Sequence, residues 1–283
     1  MKTLLAILTN PVNSEKFISY STSMAGDLDY KLHIIYVQNP ALYTISSEPS
    51  TNTPHPVEHD LDVKMLETDR NHTLKSIKEK LAGLKDISKT RSIDISAEAG
   101  TMNMVINSYI SRKKADMVVL EGDDDGGLFM SGLDIINKIN CPGWIIPSKM
   151  SYKPYKKIVY ATDYKEADII TLKKLIALTE NLSPEIIALH ITDSEDFKEK
   201  TMQKGFKDML TRATDYERIQ VKVEKEDKNF EETINETAIN TNADLLVLLK
   251  ENKGFIEKIF TSSSTKKVIK KAELPVLVYH EYD

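Results

Sequence analysis

The feature that most constrains this chain is that it repeats itself. "KKADMVVLEG" (113–122) and "TNADLLVLLK" (241–250) both place Ala-Asp before an apolar run, so that Ala115-Asp116 matches Ala243-Asp244. "INCPGWIIP" (139–147) and "KAELPVLVYH" (271–280) each introduce a last apolar run with a proline, Pro142 and Pro275. At the front, "LLAILTN" (4–10) pairs with "IVYATDY" (158–164), which sets Thr9-Asn10 against Thr162-Asp163. A chain built twice from one plan folds as two similar units, here 1–150 and 151–283. The spacing between matched points shrinks from 153 residues at the front to 128 at Ala-Asp, then grows to 133 at the final proline. The first half therefore carries about 25 extra residues in its middle and about five fewer after the Ala-Asp run. The surplus falls in "QNPALYTISSEPSTNTPHPVEHDLD" (38–62), rich in Pro, Ser and Thr, which reads as a surface loop with a helix starting near Asp60.

Within each half, short apolar runs alternate with amphipathic ones. Strands are expected near 3–9, 31–37, 92–98, 117–121 and 144–147, and again near 157–162, 186–191, 219–224, 245–249 and 276–279. Helices are expected near 14–27, 61–85, 101–113 and 131–139, then near 166–181, 195–216, 229–241 and 263–272. In "EADIITLKKLIALTENL", Ile169, Leu172, Leu175, Ile176 and Leu178 gather on one face. Asp168 and Asn229 stand near helix starts and are assigned no role. Fully apolar strands between helices mean a parallel sheet covered on both faces, so the expected class is α/β, doubly wound in each half.

Charge and cysteine content narrow the function. Lys and Arg number 16 against 19 Asp and Glu in residues 1–150, and 22 against 24 in 151–283. Neither half carries a basic stripe, which argues against nucleic acid as a partner. Cys141 is the one cysteine, so no intrachain disulfide forms and a reducing, cytoplasmic setting is expected. The apolar run Leu4–Leu8 is stopped by Asn10-Pro11 with no cleavage-site pattern after it, and no run approaches the ~20 apolar residues that span a bilayer.

"KKIVYATDYKEADIITLKKLIALTENLSPEIIALHI" resembles the opening of a universal stress protein domain, and "NADLLVLLKENKGFIEKIFTSSSTKKVIKKAELPVLVYH" is similar to that family's closing segment. The resemblance covers 155–280; over 1–150 it rests on the repeat, on "ADMVVL" and on "CPGWIIP". It implies a tandem protein with an adenine nucleotide alpha hydrolase-like fold, a five-stranded parallel sheet per domain. It also implies that the last strands of the two halves, 144–147 and 276–279, meet as an internal pseudo-dimer, with a further homodimer and a protein partner left open.

Many members of that family bind ATP through Gly-x-x-Gly, nine residues, then Gly-Ser/Thr. Aligned from "SSSTKKV", the three glycine positions fall on Leu249, Asn252 and Ser262, and only Ser263 keeps its hydroxyl. Leu249 brings a side chain where backbone would approach a phosphate, and Asn and Ser restrict the positive φ that glycine supplies. Gly254 is the one glycine in this turn; Lys250, Lys253 and the hydroxyls Thr261–Thr265 remain near a helix N-terminus. In the first half, Asp123, Asp124 and Asp125 occupy the corresponding loop beside Gly122, Gly126, Gly127 and Gly132, where their charge repels phosphate. Asn10 replaces the acid that Asp163 keeps.

Other residues carry less. His55 and His59 have metal-compatible spacing, but Pro54 and Pro56 flank His55, so a polar loop is expected rather than a metal site. His190 is matched with Tyr36 and placed at the strand edge. Cys141 reads as a packed thiol and Trp144 as filler where the halves meet. No Gly-x-Ser-x-Gly, Cys-x-x-Cys, His-Glu-x-x-His or Walker pattern occurs, so no catalytic residue is assigned. The expectation is a stress-response protein that binds a ligand or partner without a working ATP-glycine motif and without a cofactor. The alternatives are an ATP or AMP sensor through Thr162, Asp163, Asn252, Ser262, Ser263 and Ser264, and a slow nucleotide hydrolase.

Overall fold

Leucines and isoleucines buried on both faces of a strand force it to the middle of a layered sheet. Strand β1 (Thr3–Leu8) meets that condition with Leu4 to Leu8 all buried. The computed structural model describes residues 2–8, 10–39, 56–84, 90, 92–112, 114–122, 135–136, 138–148, 150–194, 196–226, 230–250 and 274–281, the side chains of 56–62 and Glu231 excepted. The described chain forms two units, Met1–Leu120 with Lys149–Tyr152, and Glu121–Ser148 with Lys153–Asp283. The split is not at the midpoint of the repeat, since 121–148 belongs to the second unit.

In the first unit, β2 (Lys31–Gln38), β3 (Ile93–Ala99) and β4 (Met117–Gly122) join β1 in the order β3-β2-β1-β4, all parallel. Helices α1 (Glu15–Asp27), α2 (Pro56–Ala82) and α3 (Met102–Ser111) make the connections. Helix α2 starts at Pro56, not near Asp60. Proline is tolerated in a first helical turn because its missing N–H has no partner there anyway, so Pro56 begins the helix instead of forbidding it. The helix shortens the expected 38–62 loop; His55 lies outside the described residues, as does the side chain of His59. Farther along α2, Thr73, Ile77 and Leu81 form a buried stripe one turn apart.

The second unit has β5 (Gly143–Pro147), β6 (Lys157–Ala161), β7 (Glu185–Thr192), β8 (Ile219–Lys225), β9 (Leu245–Lys250) and β10 (Val276–His280). Helices α4 (Glu166–Leu178), α5 (Phe197–Ala213) and α6 (Phe230–Asn240) lie between strands of this unit. The strand order is β5-β10-β9-β6-β7-β8. Five of these strands are parallel, and β5 is added antiparallel to β10, with Trp144 level with Leu277. Trp144 is fully buried and stacks on Tyr155 at 5.5 Å, inside this unit. Strands 144–147 and 276–279 therefore pair, as expected from the sequence. In α4, Ile169, Leu172, Leu175 and Leu178 are buried as the periodicity requires.

The repeated Ala-Asp has a mechanical role. Asp116 Oδ2 accepts the Thr3 N–H at 2.7 Å, and its own N–H donates to Thr3 O at 2.9 Å. Asp244 Oδ2 accepts the N–H groups of Lys156 and Lys157 at 2.9 and 3.0 Å and donates its own N–H to Lys157 O at 2.8 Å. Each aspartate, just ahead of its strand, pins the start of the neighbouring first strand, which sets the parallel register.

Register bears out one matched pair and shifts another. The Asp116 and Asp244 N–H groups donate to Thr3 O and Lys157 O, and Leu4 is level with Met117 as Ile158 is with Leu245, so along β2 and β7 Tyr36 corresponds to His190. Leu8 then corresponds to Thr162, one residue away from the match of Thr9 with Thr162, and one residue of slip moves a strand side chain to the opposite face. Tyr36 is buried, whereas His190 is partly exposed at the strand end.

Candidate functional site

In an open parallel sheet, ligands lie beyond the strand C-termini where the connections change direction. In the second unit that place is between β6, which leads on to β7, and β9, which leads on to β10. Tyr160 on β6 is level with Val247 on β9, and beyond that pairing the two segments lead to Asp163 and Lys250. Burial holds the Lys250 ammonium below the usual lysine range.

Asp168 organises the turn that leaves β6. It occupies the third position of α4 and is 1% exposed. Its Oδ1 accepts from Tyr160 Oη at 2.7 Å; its Oδ2 accepts from Thr162 Oγ1 at 2.8 Å, Asp163 N–H at 3.0 Å and Lys165 N–H at 3.1 Å. A buried carboxylate is stable only when so many donors surround it. Thr162 Oγ1 in turn accepts the Tyr164 N–H at 3.0 Å. Of the predicted site residues, Thr162 and Asp163 are thus held by one buried acid. The Asp163 side chain lies 3.6 Å from Lys165 Nζ and is 13% exposed.

Beyond Asp163 the chain turns through Tyr164, whose φ of 61° is unfavourable for a residue with a Cβ. The ring compensates by packing: it stacks on His190 at 4.1 Å and meets Phe206 of α5 at 5.1 Å. Burial, with the Glu199 carboxylate second, pushes its phenol well above the ordinary range. His190 Nδ1 is 2.7 Å from Thr162 O, so that nitrogen carries a hydrogen and donates, while Nε2 is 2.7 Å from Glu199 Oε1. His190 therefore ties the end of β6 to the first turn of α5.

Leu249 is fully buried and level with Tyr279 on β10, so β9 stays an extended, packed strand through the first glycine-equivalent position. Asn252, Lys253, Gly254, Thr261, Ser262, Ser263, Ser264 and Thr265 lie outside the described residues, as do Asp123 to Asp125, Gly126, Gly127 and Gly132. Among the described residues no three His, Cys, Asp or Glu side chains converge as a metal site, and no helix is long and apolar enough to cross a membrane.

The corresponding edge of the first unit is built differently. Asn10 is exposed, and its Oδ1 accepts the Val12 N–H at 3.0 Å. Lys80 Nζ donates to Pro11 O at 2.6 Å, to Ser14 Oγ at 3.0 Å and to Val12 O at 3.3 Å. Asp69 Oδ2 accepts from Tyr36 Oη at 3.1 Å and from Gln38 Nε2 at 2.9 Å. The third position of α1 is the buried, apolar Phe17. Helix α2 thus fastens itself to the strand ends of β1 and β2 with polar groups that a ligand would otherwise meet.

Asp168 escaped the sequence reading because its helix is preceded by Lys165, not by the Ser or Thr of a capping box. The Thr162-to-Asp168 spacing was visible, but only folding shows that the turn closes on itself.

Residues 154–280 match the sequence model of the universal stress protein family. A universal stress protein of Methanocaldococcus jannaschii is 28% identical over 152 residues, which cover 44% of this chain and 94% of that protein. Among solved structures, a universal stress protein from Archaeoglobus fulgidus superposes with a TM-score of 0.66 at 14% identity, covering 98% of this chain and 96% of that one. The cytoplasmic domain of a prokaryotic cation chloride cotransporter gives 0.56 at 8% identity, covering 100% of this chain and 96% of that one. At such identities the likeness concerns fold, and one fold serves unrelated roles.

Proposed function

We propose, from the match of residues 154–280 to the universal stress protein family, that the chain is a tandem member acting in stress response by binding, not by chemistry. Its working surface is the strand-end edge of the second unit, to which 121–148 also belongs. The observation that carries this reading is Leu249. A fully buried leucine in an extended strand supports a site that does not wrap main chain around a triphosphate. The engagement of Asp168 by four donors and of His190 by two oxygens supports it too, because both side chains are used to hold the turn and the strand end.

Mass spectrometry of the freshly purified full chain under gentle, non-denaturing conditions tests this. The expected spectrum shows protein free of adenine nucleotide. Co-purified ATP or AMP, lost in Asp163→Ala, overturns the proposal and favours a sensor built on Thr162 and Asp163.

A further inference from the structure

Strand β8 ends the sheet of the second unit, and among the described residues no strand pairs with its outer side. Its backbone direction follows from two hydrogen bonds. The Ile186 N–H donates to Arg218 O at 2.8 Å, and the Glu226 N–H donates to Thr192 O at 2.9 Å. Along a parallel ladder, partners alternate. The even-numbered residues of β8 therefore turn their backbone groups to β7, while Ile219, Val221, Val223 and Lys225 turn theirs outward.

An unsatisfied edge of this kind is a template for another strand. Its sequence, "ERIQVKVEK" (217–225), is self-complementary when two copies run antiparallel about Val221. Val221 then faces its own copy, and Ile219 faces Val223, all three through outward backbone groups. Arg218 faces Glu224, and Glu217 faces Lys225, so every charge facing another charge in this register meets its opposite. The Arg218–Glu224 contact falls at a position of the close, non-hydrogen-bonded type, where cross-strand side chains interact best. Moving the axis to Lys222 would place two lysines opposite each other.

Space beside the strand agrees. A groove of about 620 Å³ runs between the second half of α5 and β8, with Leu210, Ile219 and Val221 among its walls and Lys207 and Glu217 at its rim. In an antiparallel pair, facing residues share one side of the sheet. The partner's Ile219 and Val223 side chains would therefore enter on the groove side. From the outward backbone, the charge pattern and the groove together, we infer that β8 is a homodimer edge, through which two copies of this chain join their sheets antiparallel about Val221.

Sedimentation equilibrium of the full chain, with three variants, tests this. Wild type is expected to reach twice the mass of one chain in the micromolar range. Val221→Pro removes an outward N–H without touching the β7 ladder, and is expected to give a monomer with unchanged circular dichroism. Glu224→Arg is expected to weaken association at least tenfold, and Arg218→Glu with Glu224→Arg to restore it. Val221→Cys under mild oxidation is expected to give disulfide-linked dimers, because facing hydrogen-bonded positions bring Cα atoms to about 5.5 Å. Buried Cys141 leaves wild type uncrosslinked as the control. A monomeric wild type, a dimer indifferent to Val221→Pro, or crosslinking through Val223→Cys but not Val221→Cys overturns the inference.

Discussion

Asp168 Oδ2 stands 2.8 Å from Thr162 Oγ1, joining the first turn of α4 to the residue just after β6 in a buried part of the second unit. That bond converts a threonine and an aspartate with no obvious relation in sequence into one rigid turn. It also presents Asp163 at the edge where a ligand would approach.

Removing the acid leaves donors stranded. Asp168→Ala deprives Tyr160, Thr162 and two backbone N–H groups of their acceptor, and is expected to cost about 3–4 kcal/mol in equilibrium urea unfolding. Asp168→Asn, which keeps the shape but offers one acceptor oxygen, is expected to cost roughly half as much. A loss under about 0.5 kcal/mol for the alanine variant would contradict the assigned role.

Asp244 gives a pH dependence with a definite sign. Burial raises its carboxyl, but the Lys153 ammonium at 2.8 Å and the N–H groups of Lys156 and Lys157 outweigh that and hold it below the usual aspartate range. A depressed carboxyl contributes stability that is fully present above about pH 4 and is lost as pH falls through the folded value. Thermal unfolding followed from pH 7 down to 2 is expected to show a shallower acid limb in Asp244→Asn than in wild type. Parallel limbs would count against the assignment.

Gly143 has no room for a side chain. A Cβ there would lie 2.6 Å from Ile136 Cγ1 and 2.7 Å from Cδ1, and Ile136 is fully buried. Gly143→Ala is expected to destabilise by about 1–3 kcal/mol. Combining it with Ile136→Val, which removes the Cδ1 methyl, is expected to recover part of that loss. Simple additivity of the two changes in denaturant unfolding would show that the clash is relieved elsewhere.

Ser183 lies just beyond α4 with φ of 45°, a conformation that costs a residue with a Cβ and costs glycine nothing. Ser183→Gly gives up an exposed hydroxyl bond to Glu180 O and is expected to be neutral to about 1 kcal/mol more stable. A clear fall in melting temperature would mean that the hydroxyl matters more than the backbone.

Much of this was legible in the sequence because strand and helix periods depend on local chemistry. The runs Leu4–Leu8 and Leu245–Leu249 announce buried strands, and the spacing of Ile169, Leu172, Leu175 and Leu178 announces the covering helix. The Ala-Asp repeat marked equivalent places, though not the backbone bonds that make the aspartate useful. Register was harder. Matching Tyr36 with His190 holds, but setting Thr9-Asn10 against Thr162-Asp163 fails by one residue, since the ladders set Leu8 against Thr162; residue types cannot count positions along a ladder that only pairing defines.

By itself, the sequence determined the alternation of strands and helices, the duplicated plan and the replacement of glycine at position 249, since each rests on residue type and short-range spacing. Only the tertiary structure decided that Asp168 gathers Tyr160, Thr162 and the Asp163 backbone, and that Lys80 and Asp69 fasten α2 over the strand ends of the first unit. It also decided that β5 runs antiparallel on β10. The reason is physical: a hydrogen bond between residues far apart in sequence has no local signature, and its geometry exists only once the sheet has brought both ends together.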